Sequence, residues 1–297
     1  MASRILKVGL VQSSCGSDHA VNLNKALGGI REAASRGAQL VCLQELFGST
    51  YFCQREDADL CDLAEPVDGP TAQAVRAVAR EVGVGVVAPF FERRAPGLYH
   101  NSSLLIDARG ECVGHYRKMH IPDDPLYYEK FYFAPGDLGF RAFDLPEARV
   151  GMLICWDQWY PEAARLTALA GAELLFYPTA IGWHPKERHT EGEAQLQAWQ
   201  TIQRSHAIAN GVFVVAVNRV GHERVGVDDD GIEFWGHSFV CDPTGRVLAS
   251  AGQQETVLVV DCDLARQEEA RRGWPFFRDR RIDAYAGLTA RWLHDAS

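Results

Sequence analysis

Apolar and polar positions along the chain follow two alternating periods. Near the start, "ILKVGLVQS" (5–13) is an apolar run suited to a buried strand, and Val21–Arg36 follows with helical spacing and stops before Gly37. The pairing then recurs. "AQLVCLQELF" (38–47) reads as a strand, "TAQAVRAVAREVG" (71–83) as a helix ending at Gly83, and "VGVVAPFFER" (84–93) as a strand. "HNSSLLIDARGECVGHYRKMH" (100–120) predicts two strands joined by a turn at Ala108–Gly110. "ARVGMLIC" (148–155) is a further strand, and "YPEAARLTALAG" (160–171) a helix with Pro161 near its first position and Gly171 just past its end. "AELLFYPTA" (172–180), a long helix through "EAQLQAWQTIQRSHAIANG" (193–211), "VFVVAVNRVG" (212–221), "GHSFVCDPTGRVLASA" (236–251) and "TVLVVDCDL" (256–264) complete the pattern.

Strands alternating with helices early and strand–turn–strand pieces later imply layered α/β packing with mixed sheets. No Gly/Pro/Ser-rich linker, low-complexity tract or short repeat divides the chain, so one domain, residues 1–270, is expected. Residues 271–297, "RRGWPFFRDRRIDAYAGLTARWLHDAS", are basic, aromatic and weakly periodic. They are expected to form a C-terminal arm, packed either on the body or on a partner subunit.

Composition narrows the function classes. With 47% hydrophobic and 23% charged residues the chain is that of a globular protein. A formal net charge of −9 disfavours non-specific binding to nucleic acid or an anionic membrane. The N-terminal apolar run is short and interrupted, so it reads as a strand rather than a signal peptide. No run approaches the roughly 20 apolar residues that cross a bilayer. Eight cysteines with no CxxC pair fit a reduced, cytoplasmic protein better than a disulfide framework.

Three polar reactive residues end three of the apolar runs. Cys155 stands where a strand gives way to a helix pattern, and a helix N-terminus there is expected to lower its thiol pKa. Glu45 closes "QLVCLQEL", where an acid is out of place unless paired or used. Lys118 closes "GHYRK". Ligands of α/β sheets gather at the carboxyl ends of strands, so the coincidence points to one catalytic site. The ten histidines lack the spacing of a metal site, and solvated or capping roles suit them better. Tyr51, Trp156 and Trp159 lie near these motifs, as pocket walls for an alkyl chain or as ordinary core.

The motifs are similar to those of the nitrilase superfamily of carbon–nitrogen hydrolases over roughly residues 5 to 290. "LQELF" resembles its glutamate motif, "YRKMHIP" its lysine motif and "GMLICWDQWYPEAAR" its cysteine motif; "YYEKFYFAPGD" supplies Glu129, which matches the additional glutamate set against the lysine. "CWDQWYPEAAR", "YPTAIGW" and "AVNRVG" look most like the branch that hydrolyses N-carbamoylputrescine to putrescine, carbon dioxide and ammonia. The resemblance implies a four-layer αββα sandwich, pairing into homodimers or higher homo-oligomers, and a Glu45–Lys118–Cys155 triad needing no metal or organic cofactor. Glu45 is expected as general base with a pKa raised by Leu43, Leu46 and Phe47, and Lys118 with the Trp156 N–H as the oxyanion site.

One departure stands out: His184 in "GWHPKE" takes a position where several members of that branch carry an acid. Glu187 or another carboxylate would then hold the distal ammonium, or the substrate differs. The alternatives are another amidase of the superfamily (β-ureidopropionase, omega-amidase or nitrilase) and, more remotely, a non-catalytic scaffold.

Overall fold

The computed structural model describes residues 3–224, 226 and 230–294; the expected arm therefore ends, among described residues, at His294, and Met1, Ala2 and 295–297 lie outside them. In the first half run β1 (Ile5–Gln12), α1 (His19–Ser35), β2 (Leu40–Leu43), α2 (Pro70–Val82), β3 (Gly85–Ala95), β4 (Leu98–Ile106) and β5 (Cys112–Arg117). Then come α3 (Glu129–Tyr132), β6 (Ala142–Asp144), β7 (Arg149–Met152), α4 (Pro161–Leu169), β8 (Leu174–Pro178), β9 (Gly182–Trp183) and α5 (Gly192–Asn210). The last stretch holds β10 (Phe213–Val217), β11 (Val220–Glu223), β12 (Ile232–Trp235), β13 (Phe239–Cys241), β14 (Val247–Ser250), β15 (Thr256–Asp263) and α6 (Ala265–Gly273).

Two six-stranded sheets, β15-β1-β2-β3-β4-β5 and β14-β13-β10-β8-β7-β6, face one another, and a small β11-β12-β9 sheet stands beside them. Each large sheet has a parallel centre, β1–β2–β3 in one and β10–β8–β7 in the other, flanked by antiparallel strands. Side-chain alternation explains the layering. Leu6, Val8, Leu10, Leu40, Cys42, Val87 and Leu105 point between the sheets and pack with Val150, Met152, Leu174, Phe176, Val214 and Val240. Their neighbours Val11, Val41, Leu43, Val86, Ala88, Leu104 and Ile106 point outward onto α1 and α2. The second sheet is covered in the same way by α4 and α5. This is the expected αββα sandwich.

Close approach of α1 to the first sheet depends on Gly9, because a Cβ there would lie 2.9 Å from that of Ala33. Helix ends match the sequence signals. The Asp18 carboxylate caps α1 by accepting the Ala20 and Val21 N–H groups, Pro70 opens α2, and Gly83 and Gly211 close α2 and α5 in the left-handed region.

Several predicted strands are shorter than their apolar runs. β2 ends at Leu43 and β7 at Met152, and "VFVVAVNRVG" is broken at Asn218 and Arg219 into β10 and β11. α3, β6, β9 and β12 are too short to leave a periodic trace. Beyond α6, Phe277 is pinned to the body between Arg165 and Arg271, while Trp274, Phe276, Ile282, Leu288, Trp292 and Leu293 are exposed. No helix among the described residues is long and apolar enough to cross a membrane.

Candidate active site

Strand ends deliver the polar groups. Glu45 lies in the turn after β2, Lys118 directly follows β5, and Cys155 opens a short 3-10 turn (Cys155–Trp159) after β7. Shortening of the strands matters here, since it frees Glu45 and Cys155 from the ladder, whereas the Lys118 N–H still donates to the Asn101 carbonyl of β4 at 2.8 Å. Two of the turns are strained: Leu46 has φ +50° and Cys155 φ +41°, a region that costs non-glycine residues about 1–3 kcal/mol each. The Cys155 turn is held by the buried Asp157, which accepts the Ile154 N–H at 3.0 Å, the Tyr116 hydroxyl at 2.7 Å and the His120 N–H at 3.0 Å. His120 thus has an anchoring role, its ring stacked on Tyr160, and His115 likewise bonds Glu92.

The ammonium of Lys118 lies between two carboxylates, 2.8 Å from Glu45 Oε1 and 2.6 Å from Glu129 Oε2, and all three side chains are fully buried. Asn101 Nδ2 donates to the same Glu45 oxygen at 2.7 Å, and the Tyr51 hydroxyl donates to Glu129 Oε1 at 2.6 Å. The second Glu45 oxygen, Oε2, has no partner among the described residues although buried. Unpaired buried acceptors are rare and costly, and one that persists invites a functional account.

Burial works against the Lys118 charge, but Glu129 and Glu45 outweigh it and hold the group protonated, well above its ordinary range. Burial likewise raises the Glu129 carboxyl, opposed by Lys118 and reinforced by Glu45. For Cys155 the structure reverses the expectation of a lowered pKa. Burial and then the Glu45 charge push the thiol well up, and Lys118 offsets this only in part. The five-residue turn is too short a dipole to overcome desolvation, so the resting sulfur is a thiol that needs a base.

Cys155 opens into a cavity of about 430 Å³. Trp156, Trp159, Trp235, Ile181 and Tyr127 form apolar walls, and His184, Glu187 and Asp124 supply the polar lining. Four of the five expected substrate contacts therefore reach the cavity: Trp156, Trp159, His184 and Glu187. Tyr51 does not. It is fully buried and its hydroxyl is spent on Glu129, so its place is behind Lys118 rather than against a substrate.

Sequence reasoning missed Asn101, Asp124, Trp235 and the buried pair Arg219–Glu223. An arginine inside the apolar "AVNRVG" was a usable signal for the last of these. "IPDDP" held none for Asp124.

An αββα sandwich with a buried cysteine, lysine and glutamate at its strand ends, and a second buried glutamate opening α3, is the architecture of a carbon–nitrogen hydrolase. The sequence pattern of that family, carbon-nitrogen hydrolase, matches residues 7–272, and the chain belongs to it. It is similar to the N-carbamoylputrescine amidase of Solanum tuberosum, 44% identical over 290 residues that cover 96% of this chain and 95% of that one. The citrullinase of Francisella tularensis subsp. tularensis is 40% identical, covering 97% and 99%. Among solved structures, a carbon-nitrogen hydrolase from Helicobacter pylori G27 superposes with a TM-score of 0.94 at 45% identity, covering 97% of this chain and 100% of that one. This chain is accordingly an amidohydrolase.

Proposed function

We propose that the protein hydrolyses the ureido group of N-carbamoylputrescine, giving putrescine, carbon dioxide and ammonia. The observation that carries this reading is the charge of the cavity: among the described residues its lining includes the carboxylates of Asp124 and Glu187 and no lysine or arginine. Such a lining suits a substrate whose far end is an ammonium, and it leaves a carboxylate-ended substrate without a counter-charge. The tryptophan walls suit the four-carbon chain between. Similarity to plant N-carbamoylputrescine amidases supports the same choice.

In this reading Glu45 Oε2 takes the proton of the Cys155 thiol as the sulfur attacks the ureide carbonyl carbon. Negative charge developing on the oxygen meets the Lys118 ammonium and the Trp156 N–H, an electrostatic contribution of roughly 3–4 kcal/mol per donor where one has been measured. Glu45 returns its proton to the departing nitrogen, leaving the acyl group on sulfur as a thioester (for a ureide, an S-thiocarbamate). Water then gives a proton to Glu45 and attacks the same carbon; the sulfur leaves with that proton and the carbamic acid product falls apart to carbon dioxide and amine or ammonia. Glu129 keeps Lys118 charged and aimed.

The test is ammonia release from a panel of N-carbamoylputrescine, citrulline, N-carbamoyl-β-alanine and short amides and nitriles. We expect kcat/KM for N-carbamoylputrescine to exceed that for N-carbamoyl-β-alanine by about tenfold, since the acid exchanges two attractions to exposed carboxylates for two repulsions. Preference for a carboxylate-ended substrate would overturn the reading.

Two further parts of the reading concern context. Eight free thiols, five of them buried, suit the reducing cytoplasm. The exposed apolar side chains of the arm, together with Leu166 and Leu169 of α4, suit a second copy of the chain as partner. Charged replacements at Ile282 and Leu288 are then expected to shift light-scattering mass toward the monomer; a monomeric parent protein rules this out.

A further inference from the structure

Arg219 sits between β10 and β11 with no exposed surface, and its guanidinium is shared among four acceptors. Nη2 donates to the carbonyl oxygens of Glu45 at 3.1 Å and Leu46 at 2.7 Å. Nη1 donates to the carbonyl oxygen of Ser49 at 3.0 Å and to the Glu223 carboxylate at 2.8 Å. The other Glu223 oxygen accepts the Tyr51 N–H at 2.6 Å, and the face of Phe234 lies 5.4 Å from the guanidinium. One cation and its counter-ion thus grip residues 45–51 from Glu45 to Tyr51.

That segment has no regular structure of its own to take these groups. Three of its carbonyl oxygens converge on one point, and Leu46 is in the left-handed region. Buried carbonyls of this kind require a donor, and a planar guanidinium is the side chain whose fixed fork reaches several at once. Both ends of the gripped segment bear on the chemistry. Glu45 presents Oε2 with no partner among the described residues, and Tyr51 passes through its hydroxyl to Glu129 and so to Lys118. Neither Arg219 nor Glu223 lines the cavity at Cys155.

We propose that Arg219 and Glu223 are the positioning pair of this active site: they set the aim of the Glu45 carboxylate and, through Tyr51, of the Glu129–Lys118 pair, and so act on turnover rather than on substrate capture. The proposal rests on Glu45 serving as the base. It separates the pair from an ordinary buried ion bridge, which would affect stability alone.

Three variants test it: Arg219→Lys, Glu223→Gln and Tyr51→Phe, each with a thermal melt and with turnover counted per Cys155 thiol titrated by a stoichiometric alkylating agent. Arg219→Lys keeps the charge but replaces the fork by a single ammonium. Glu223→Gln retains an oxygen for the Tyr51 N–H and loses the charge that orients Arg219. Tyr51→Phe cuts the connection to Glu129 without changing the packing volume, so it reports even where the other two fail to fold. Expected are kcat losses of about tenfold to a hundredfold for the first two, the range known for displacements near 1 Å, a smaller loss for Tyr51→Phe, and KM within about twofold of the parent in all three. Parental kcat per titrated thiol in the folded variants overturns the proposal, and so does a rise of KM that accounts for the lost efficiency. Glu45→Gln serves as reference: if it turns over like the parent, the assignment of the base fails, whatever Arg219 does.

Discussion

Glu45, Lys118 and Glu129 have no exposed surface, whereas Asp124 and Glu187, which line the same cavity as Cys155, are both exposed. The inner charges are fixed by one another and by Asn101 and Tyr51, in a medium where each contact is strong and each loss leaves an uncompensated ion. The outer carboxylates stand in water, that of Glu187 tied among the described residues only to Gln195 at 3.1 Å, so their pull on a cation is screened. The contrast separates reaction from selection. In the proposed reaction rigid, dry charges hold the reacting carbonyl, and soft, wet charges choose what is attached to it.

The comparison breaks most sharply at its inner end. Cys155→Ala is expected to fold normally and lose turnover by about a thousandfold or more, since nothing else supplies the attacking atom. Lys118→Met would bring Glu45 and Glu129 together without their cation, costing about 3–5 kcal/mol in urea unfolding along with activity. Parental stability in that variant would mean that the two carboxylates are not both charged at rest.

An intermediate effect concerns pH. Burial holds the Cys155 thiol above its ordinary range, so at neutral pH the free sulfur is protonated. In Glu45→Gln, iodoacetamide labelling of Cys155 should therefore climb steadily from pH 7 to beyond about 9. A plateau already reached at pH 7 would show a thiolate formed without the base.

At the outer end the effects are smallest. Asp124→Asn and Glu187→Gln are each expected to lower kcat/KM for an ammonium-ended substrate by about two- to fivefold, the value of an exposed ion pair, with kcat unchanged. Raising the salt concentration should shrink the difference from the parent. A loss insensitive to salt would place these carboxylates in a drier setting than the surface gives them.

Much of the inner site was legible in the sequence because it obeys local rules. An apolar run ending in Glu45, Lys118 or Cys155 is visible without coordinates, and helix boundaries follow from the locked φ of Pro161 and the left-handed freedom of Gly83 and Gly211. Other elements left no such trace. Tyr51, aromatic and near Glu45, reads equally as a pocket wall or as core; it lies in the core behind Lys118, since its hydroxyl meets a carboxylate 78 positions further along the chain. Asp124 reaches the cavity only because its loop folds over β9, where the Tyr127 hydroxyl accepts the Gly182 N–H at 3.0 Å.

Which residues lie inside and which reactive groups end the strands can be read from the chain alone, because periodicity and residue chemistry act over a few neighbouring positions. Three-dimensional packing sets the ionisation of Lys118 and Cys155 and the aim of all three groups. The Cys155 thiol is raised where local reasoning had it lowered, because burial and the charge of Glu45, 110 positions earlier, outweigh a single turn of backbone dipole. Desolvation and Coulomb energy depend on what surrounds a group in space, and the chain order of this protein brings that surrounding from four distant segments.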